Sequence, residues 1–446
     1  MVFKASRAKT PQNSPLACHI AVSIVAKTKE QALSHANPYY TPEFPRSVQT
    51  FGTCFGCARA SGVFTDTESG ETYGLERRDA VAVSDQGSSS KDVHPWLSDL
   101  ETKVIRAEAC YHQALALKDK GLEPDVILGH HGWGEPMFLK NVRPNAKMGP
   151  YCELYHLNSG ETVNFDPEFS TPDLRGSVLR LRLRNLNNAL HFDIGDAGIS
   201  PTKFQAATFP EPFRNKISVI HDGIDTNTVK PNADAVLKIS DDLSVTRDEE
   251  VITFINRNLE PYHGYHVFMR ALPKLLKARP NAQVVLLGGD EVSYGSRPPS
   301  GKTWKQIYID EVREQISDED WARVHFMGRV PYDVFLAMMQ VSRLHIYLTY
   351  PFVLSWSLLE AMSTEAAILA SDTAPVLEAI KHDETGWLTD FFDADALVEK
   401  ANALLEDKET RARLGKAARA FVLKTYDLKT QCLPKQLEWV SGLAKP

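Results

Sequence analysis

Residues 251–290 read VITFINRNLEPYHGYHVFMRALPKLLKARPNAQVVLLGGD, and the folding of this stretch decides the class of the protein. VITFIN is a short, continuous, β-branched apolar run bounded by polar residues, which predicts a strand buried on both faces. GYHVFMRALPKLLKARP spaces its apolar residues as one face of a helix, with Pro273 inside it as a point of bending. AQVVLLGGD is a second buried strand closed by two glycines. Strand, helix and strand at these lengths make a βαβ unit. The alternation continues through helix KTWKQIYIDEVREQI, strand RVHFMGRV, helix PYDVFLAMMQVS, strand LHIYLTY, helix SLLEAMSTE, strand AILAS and helix DALVEKANALLED. Strict alternation implies a parallel sheet covered on both faces.

A similar unit stands upstream. WLSDLETKVIRAEACYHQALALKDKG has helical spacing and ends at Gly121, a plausible C-cap; PDVILGHHGWGE then reads as a buried strand running into a loop with His130 and His131. KISVIHDGID is a strand broken by the Asp222-Gly223 turn. After it, TNTVKPNADAVLKISDDLSVTRDEE is polar and interrupted by Pro231, as a linker would be. Residues 1–92 are poorly readable: CHIAVSIVAK suggests a strand, and the rest is polar and turn-rich. The expected organisation is an N-terminal α/β domain over 1–225, a linker over 226–247, a second α/β domain over 248–424 and a final helix over 425–446. That helix is expected to return to the N-terminal domain.

With 446 residues, two domains are the natural expectation. A composition of 43% hydrophobic and 24% charged residues is that of a globular protein. A net charge of −7 argues against a nucleic-acid partner. No apolar run reaches the roughly 18–20 residues that span a bilayer. The N-terminus lacks the long apolar core of a secretory signal. Six cysteines in a chain of this length suggest no disulfide framework, so a reducing cytoplasm is expected. Cys54 and Cys57 form CFGC. A zinc site would want a second ligand pair, which does not follow at suitable spacing, and a redox site would want the pair to follow a strand and open a helix. Two ordinary thiols are therefore expected rather than a metal or redox site.

Nicotinamide and ATP chemistry are disfavoured. LLGGDEVSYGS has the wrong glycine spacing for a dinucleotide fingerprint, and the P-loop pattern is absent. What remains lies at strand C-termini in the second half. Arg257 follows VITFIN, and His263-Gly264 precede a helix; a guanidinium beside a helix N-terminus is suited to a diphosphate. The alternative is that Arg257 pairs with Glu260 in the loop. Arg175, Arg180, Arg182 and Arg184 lie on a helix-like segment, either as a solvated face or as a basic face toward an anionic acceptor or membrane surface. YPFVLSWSLLEAM, residues 350–362, is apolar except for a proline, two serines and Glu360. Ser357 to Glu360 fits a capping box, in which the glutamate would only satisfy its own helix. If the helix begins at Ser355 instead, Glu360 lies beyond the box and can face a ligand.

ISVIHDGID, FINRNLEPYHGYHVFMRAL, VHFMGRVPYDVFLAMM, SLLEAM, ILASDTAPVLEAI and HDETGWLTD, in this order and spacing, together resemble the retaining glycosyltransferases of family 4. The likeness runs from about Val93 to the C-terminus and is strong over 216–405; RNLEPY-G and WSLLEAM point to a bacterial subgroup. The resemblance implies the GT-B fold, two Rossmann-like domains facing each other across a donor and acceptor cleft. It implies a metal-independent, retaining transfer of a hexose from a nucleotide-diphosphate sugar, with no cofactor beyond that donor. It also implies a glycan, lipid-linked or small acceptor and a role in polysaccharide biosynthesis. Localisation would be cytoplasmic, with peripheral contact at the inner membrane face as an extension of that reading. By the resemblance, Arg257 binds the donor diphosphate, His263 stands where a Lys or Arg is usual before Gly264, and Ser355, Trp356 and Ser357 lie at the donor helix. Glu360 would bind the ribose, and His130 would lie near the reacting sugar. Glu378 is expected to be structural.

The chain departs from the pattern at Phe352, which stands where the family has a sugar-contacting glutamate. A scaffold that binds nucleotide sugar or a partner without turnover is therefore the alternative, and an epimerase on the same fold a third reading. If His263 replaces a lysine, its charge should fade near the usual histidine value of about 6.5, and the rate should fall above neutral pH.

Overall fold

The structure is a computed structural model, and it describes residues 92–157, 164–170 and 174–445 together with the short strands Ser23–Ala26, Val63–Thr65 and Thr72–Gly74. CFGC lies outside the described residues. The chain divides into two compact units, Met1–Met148 and Gly149–Pro446.

In the first unit the expected helix spans Ser98–Asp119 and the expected strand Pro124–His130. Strand Ser23–Ala26, within CHIAVSIVAK, pairs antiparallel with Pro124–His130. The 22-residue helix buries Lys103, Ala107 and Cys110, at the spacing of one helical face. Gly134 has φ +94°, and a Cβ there would stand 2.6 Å from the Lys103 carbonyl oxygen, so this turn requires glycine.

The second unit is built around six parallel strands: β1 (Val251–Asn258), β2 (Gln283–Gly289), β3 (Val324–Phe326), β4 (Leu344–Tyr347), β5 (Ala367–Ser371) and β6 (Trp387–Thr389). Their order across the sheet is β3-β2-β1-β4-β5-β6. This is the doubly wound order, which reverses direction between β1 and β4. The first two expected strands and the helix between them are all present, and that helix, α1 (Tyr265–Ala278), runs on through Pro273. It buries Tyr265, Phe268, Met269, Leu272, Leu275 and Leu276 against Phe254 and Leu286 of the sheet. On the opposite face, Val251, Ile255, Val285 and Ile368 meet Met338, Leu358 and Met362. Both faces are therefore dry, as the continuous apolar runs require.

Elements that went unread in the sequence include β6 within HDETGWLTD, the helix Lys408–Thr425, the strands Lys147–Tyr151 and Gly198–Ser200 and the helix Lys203–Ala207. The final helix, Leu433–Ala444, lies against the turn at 221–224, where the Gln436 amide donates to the His221 carbonyl at 2.9 Å. The basic segment is helical over Leu174–Arg184 and Leu186–Ile194. Arg180, Arg182 and Arg184 are exposed there, and so are Val178, Leu179, Leu186 and Leu190. No helix among the described residues is long and apolar enough to cross a membrane.

The segment expected as a linker is packed. Leu237–Lys238 and Ser244–Val245 form a small antiparallel pair, and Val229, Leu237 and Val245 are fully enclosed in the core with Met338 and Leu358. Arg247 ties its end to the Glu365 carbonyl at 2.7 Å. Leu237→Ala should therefore destabilise the unit by about 2–5 kcal/mol, the cost of a core truncation. Denaturant unfolding will measure this, whereas a loose linker would show almost no change.

Candidate functional site

In a doubly wound sheet, ligands bind outside the carboxyl ends of the strands where the order reverses. Here that place is the ends of β1 and β4, since the loops leaving these neighbours go to opposite faces. The sequence candidates of the second unit cluster there: Arg257, His263 and Gly264 after β1, and Phe352, Ser355, Trp356, Ser357 and Glu360 after β4.

Arg257 is exposed near the end of β1 and has no acidic partner among the described residues. Glu260, the alternative partner, is committed elsewhere. It is completely enclosed, and its carboxylate accepts the backbone N–H groups of Ser293, Tyr294 and Gly295 at 3.0, 3.3 and 3.2 Å. Burial pushes its carboxyl up, against these three bonds. Asn258 adds a bond from its amide to the Ser293 hydroxyl at 2.7 Å.

His263 ends a short 3-10 turn, and Gly264 then takes φ +69° to open α1. A Cβ on Gly264 would lie 2.3 Å from the Leu348 Cβ, so both conformation and space demand glycine. The expected charge on His263 is corrected by its surroundings. The ring is buried beside Tyr262 and Tyr294, and burial pulls its pKa down to about 4. It is therefore neutral at physiological pH. It cannot stand in for a lysine here, and a fall in rate above neutral pH is no longer expected from it. Because its folded pKa is depressed, its contribution to stability is lost as pH falls from the ordinary histidine value toward about 4.

Helix α2 spans Trp356–Ser363, and its N-cap is Ser355, whose hydroxyl accepts the Ser357 N–H at 3.2 Å. This rules out the capping box, since Glu360 lies five residues beyond the cap instead of three. Its carboxylate accepts the Tyr332 hydroxyl at 2.8 Å, and burial pushes its pKa up to about 7. The Trp356 indole N–H is turned to Asp222 at 3.2 Å, the same carboxylate oxygen that accepts the Tyr151 hydroxyl at 3.0 Å. Phe352 is buried against Tyr262 and Tyr294, with ring centroids 5.2 and 4.7 Å away. Where the family resemblance implies a carboxylate, this position holds an aromatic ring in edge-on and tilted contact with two tyrosines.

His130 belongs to the first unit, at the end of strand Pro124–His130, where its buried ring stacks on His131 at 5.6 Å. Glu135, in the same loop, is buried, and burial pushes its carboxyl up. Glu378 caps the helix Lys203–Ala207 by accepting the Phe204 N–H at 2.6 Å and the Lys203 N–H at 3.0 Å.

Sequence reasoning passed over Tyr294, Tyr332 and Asp166. Asp166 accepts the Tyr350 hydroxyl at 2.6 Å and lies 2.9 Å from His266 Nε2. Among the described residues Asp166, Glu168 and His266 form the one group spaced to hold a metal ion. Both carboxylates are engaged, because Arg270 grips Glu168 at 2.6 and 2.9 Å and Tyr350 holds Asp166. These contacts tie residues 166–168 to α1 and to the segment after β4.

Comparison with known proteins places this geometry. The family described as "Glycosyl transferase family 4 group" matches residues 63–229, and "Glycosyl transferases group 1" matches residues 238–421. The chain belongs to the family 4 type of glycosyltransferases. Among curated relatives, this glycosyltransferase is 27% identical over 208 residues to the D-inositol 3-phosphate glycosyltransferase of Corynebacterium efficiens, covering 46% of each chain. It is 28% identical over 179 residues to the phosphatidyl-myo-inositol mannosyltransferase of Mycolicibacterium smegmatis, covering 39% of this chain and 40% of that one. The matches thus span about half the length of these relatives. Among solved structures, Anabaena HepE in complex with UDP-glucose superposes with a TM-score of 0.56 at 19% identity, covering 74% of this chain and 82% of that one. Sucrose-phosphate synthase of Thermosynechococcus elongatus gives 0.57 at 18%, covering 76% and 79%. The fold of the glycosyltransferase is GT-B.

The raised pKa of Glu360 gives a pH signature. In the folded protein its proton is favoured, so its burden on stability appears as pH rises from the ordinary carboxylate value through about 7. If Glu360 binds a donor hydroxyl, the ionised carboxylate is the stronger acceptor, so nucleotide-sugar KM should fall several-fold as pH rises through that same value. Steady-state kinetics across this range should show the dependence in the wild type and none in Glu360→Gln.

Proposed function

We propose that the protein transfers a hexose from a nucleotide-diphosphate sugar to a hydroxyl-bearing acceptor, with retention at the anomeric carbon. The observation that carries this reading is Arg257, an exposed guanidinium with no acidic partner among the described residues, standing where the strand order reverses. Breaking the sugar–phosphate bond builds negative charge on the leaving diphosphate and positive charge on the sugar. Preorganised positive charge and N–H dipoles at the leaving group are the largest help. Arg257 supplies the charge, the first turn of α2 after Ser355 supplies N–H groups, and His263 contributes as a neutral group. In this scheme the diphosphate is neutralised without a metal ion. Glu360, freed from capping, takes the ribose hydroxyls. The role of His130 rests on the family resemblance.

The relatives named for inositol phosphate and phosphatidylinositol support a polyol or lipid-linked acceptor. The exposed face of Arg180, Arg182, Arg184, Leu179, Leu186 and Leu190 supports peripheral contact with an anionic membrane surface. A role in cell-surface polysaccharide synthesis, on the cytoplasmic side, follows from the same reading.

A second reading has one observation behind it. Phe352 is buried and offers no acceptor to a sugar, which suits a scaffold that binds without turnover. Incubation with UDP-, GDP- and ADP-sugars, with and without inositol phosphate or phosphatidylinositol, separates the two. Acceptor-dependent release of nucleoside diphosphate is expected, and binding without release would favour the scaffold. Arg257→Ala should lower turnover about a hundredfold, the scale for losing one charge-stabilising donor. Near-wild-type turnover in that variant would place the diphosphate elsewhere.

A further inference from the structure

The loop after β2 is held with unusual care. Three consecutive N–H groups, those of Ser293, Tyr294 and Gly295, converge on the enclosed Glu260 carboxylate, and Asn258 holds the Ser293 hydroxyl. Burying a carboxylate is costly unless it is hydrogen-bonded, so the arrangement implies that the position of this loop matters. Its consequence is the placement of Tyr294. The ring leans on Phe352 at 4.7 Å, on His263 at 5.8 Å and on Tyr262 at 5.9 Å, yet 38% of the residue remains exposed. Its hydroxyl is hydrogen-bonded by Arg257. A phenol with a fixed ring and an open side thus stands beside the exposed Arg257 guanidinium at the switch point.

We propose that Tyr294 is the residue that contacts the transferred sugar of the donor and helps select it, from a loop fixed in place by Glu260. This deepens the functional reading above and rests on it. Phe352 fills the floor of the site but has no polar atom. Tyr294, tilted against Phe352, returns a hydroxyl to that floor. Its ring offers an apolar edge to a hexose, and its hydroxyl can bond a sugar hydroxyl while touching Arg257. Glu260 acts through the loop and is a positioning residue.

The test compares binding of bare UDP and GDP with that of UDP-glucose, UDP-N-acetylglucosamine and GDP-mannose, by calorimetry, for wild type, Tyr294→Phe and Tyr294→Ala. In the wild type one nucleotide sugar should bind more tightly than its bare diphosphate. Tyr294→Phe should erase about five- to tenfold of that advantage, the scale of one hydrogen bond, while the bare diphosphate binds as before. Tyr294→Ala should erase more. Melting temperatures confirm that the variants fold. Three outcomes overturn the proposal: equal weakening of sugar and bare diphosphate, no change in either, or a wild type in which the sugar adds nothing. If the wild type binds no nucleotide at all, the functional reading itself fails, and the inference with it. For Glu260, the variant Glu260→Gln should weaken only the sugar-dependent part, and an unchanged sugar preference would remove its positioning role.

Discussion

The reversal of strand order between β1 and β4 is the constraint on which the rest of the second unit depends. Two adjacent parallel strands end side by side, but their chains leave toward opposite faces of the sheet. A gap must open between them, and backbone polar groups border it. Arg257, His263 and Gly264 sit on the first of these exits and Ser355, Trp356, Ser357 and Glu360 on the second, while Tyr294 reaches the gap from the loop after β2. Gly264 shows how tight the geometry is: its neighbour across the gap, Leu348, follows β4 and leaves no room for a side chain.

The sheet itself was legible because a parallel strand buried on both faces leaves a continuous apolar run, and VITFIN and VVLL are such runs. Strand β6 escaped because three residues carry no period. The helix Lys408–Thr425 escaped because only a narrow stripe of Leu414, Ala418 and Val422 is buried, while basic residues dominate the rest. The linker was misjudged for a related reason. Its polar residues set its composition, while Val229, Leu237 and Val245 at intervals set its packing.

The sequence candidates of the second unit were brought together by the fold, but their states were not readable from the sequence. Arg257 was found because a cation at a strand end is a local signal. The charge of His263 was misread because ionisation depends on burial, which the local sequence does not encode. The role of Glu260 could not be seen, since its partners lie 33 to 35 residues away. For Glu360 the issue was a shift of two residues in the helix start, set by Ser355 having the extended backbone of a cap.

The Asp222 carboxylate joins Trp356, the first residue of α2, to Tyr151, some 200 positions earlier in the chain. The helix end that borders the gap is thus anchored to the first half of the sequence as well as to its own sheet. Asp222 also precedes Gly223, whose crowding against Leu428 fixes the turn on the C-terminal segment. One small turn therefore sets a common origin for three distant parts of the chain. The helix Leu433–Ala444 shares this origin, since the Gln436 amide donates to the His221 and Asp222 carbonyls.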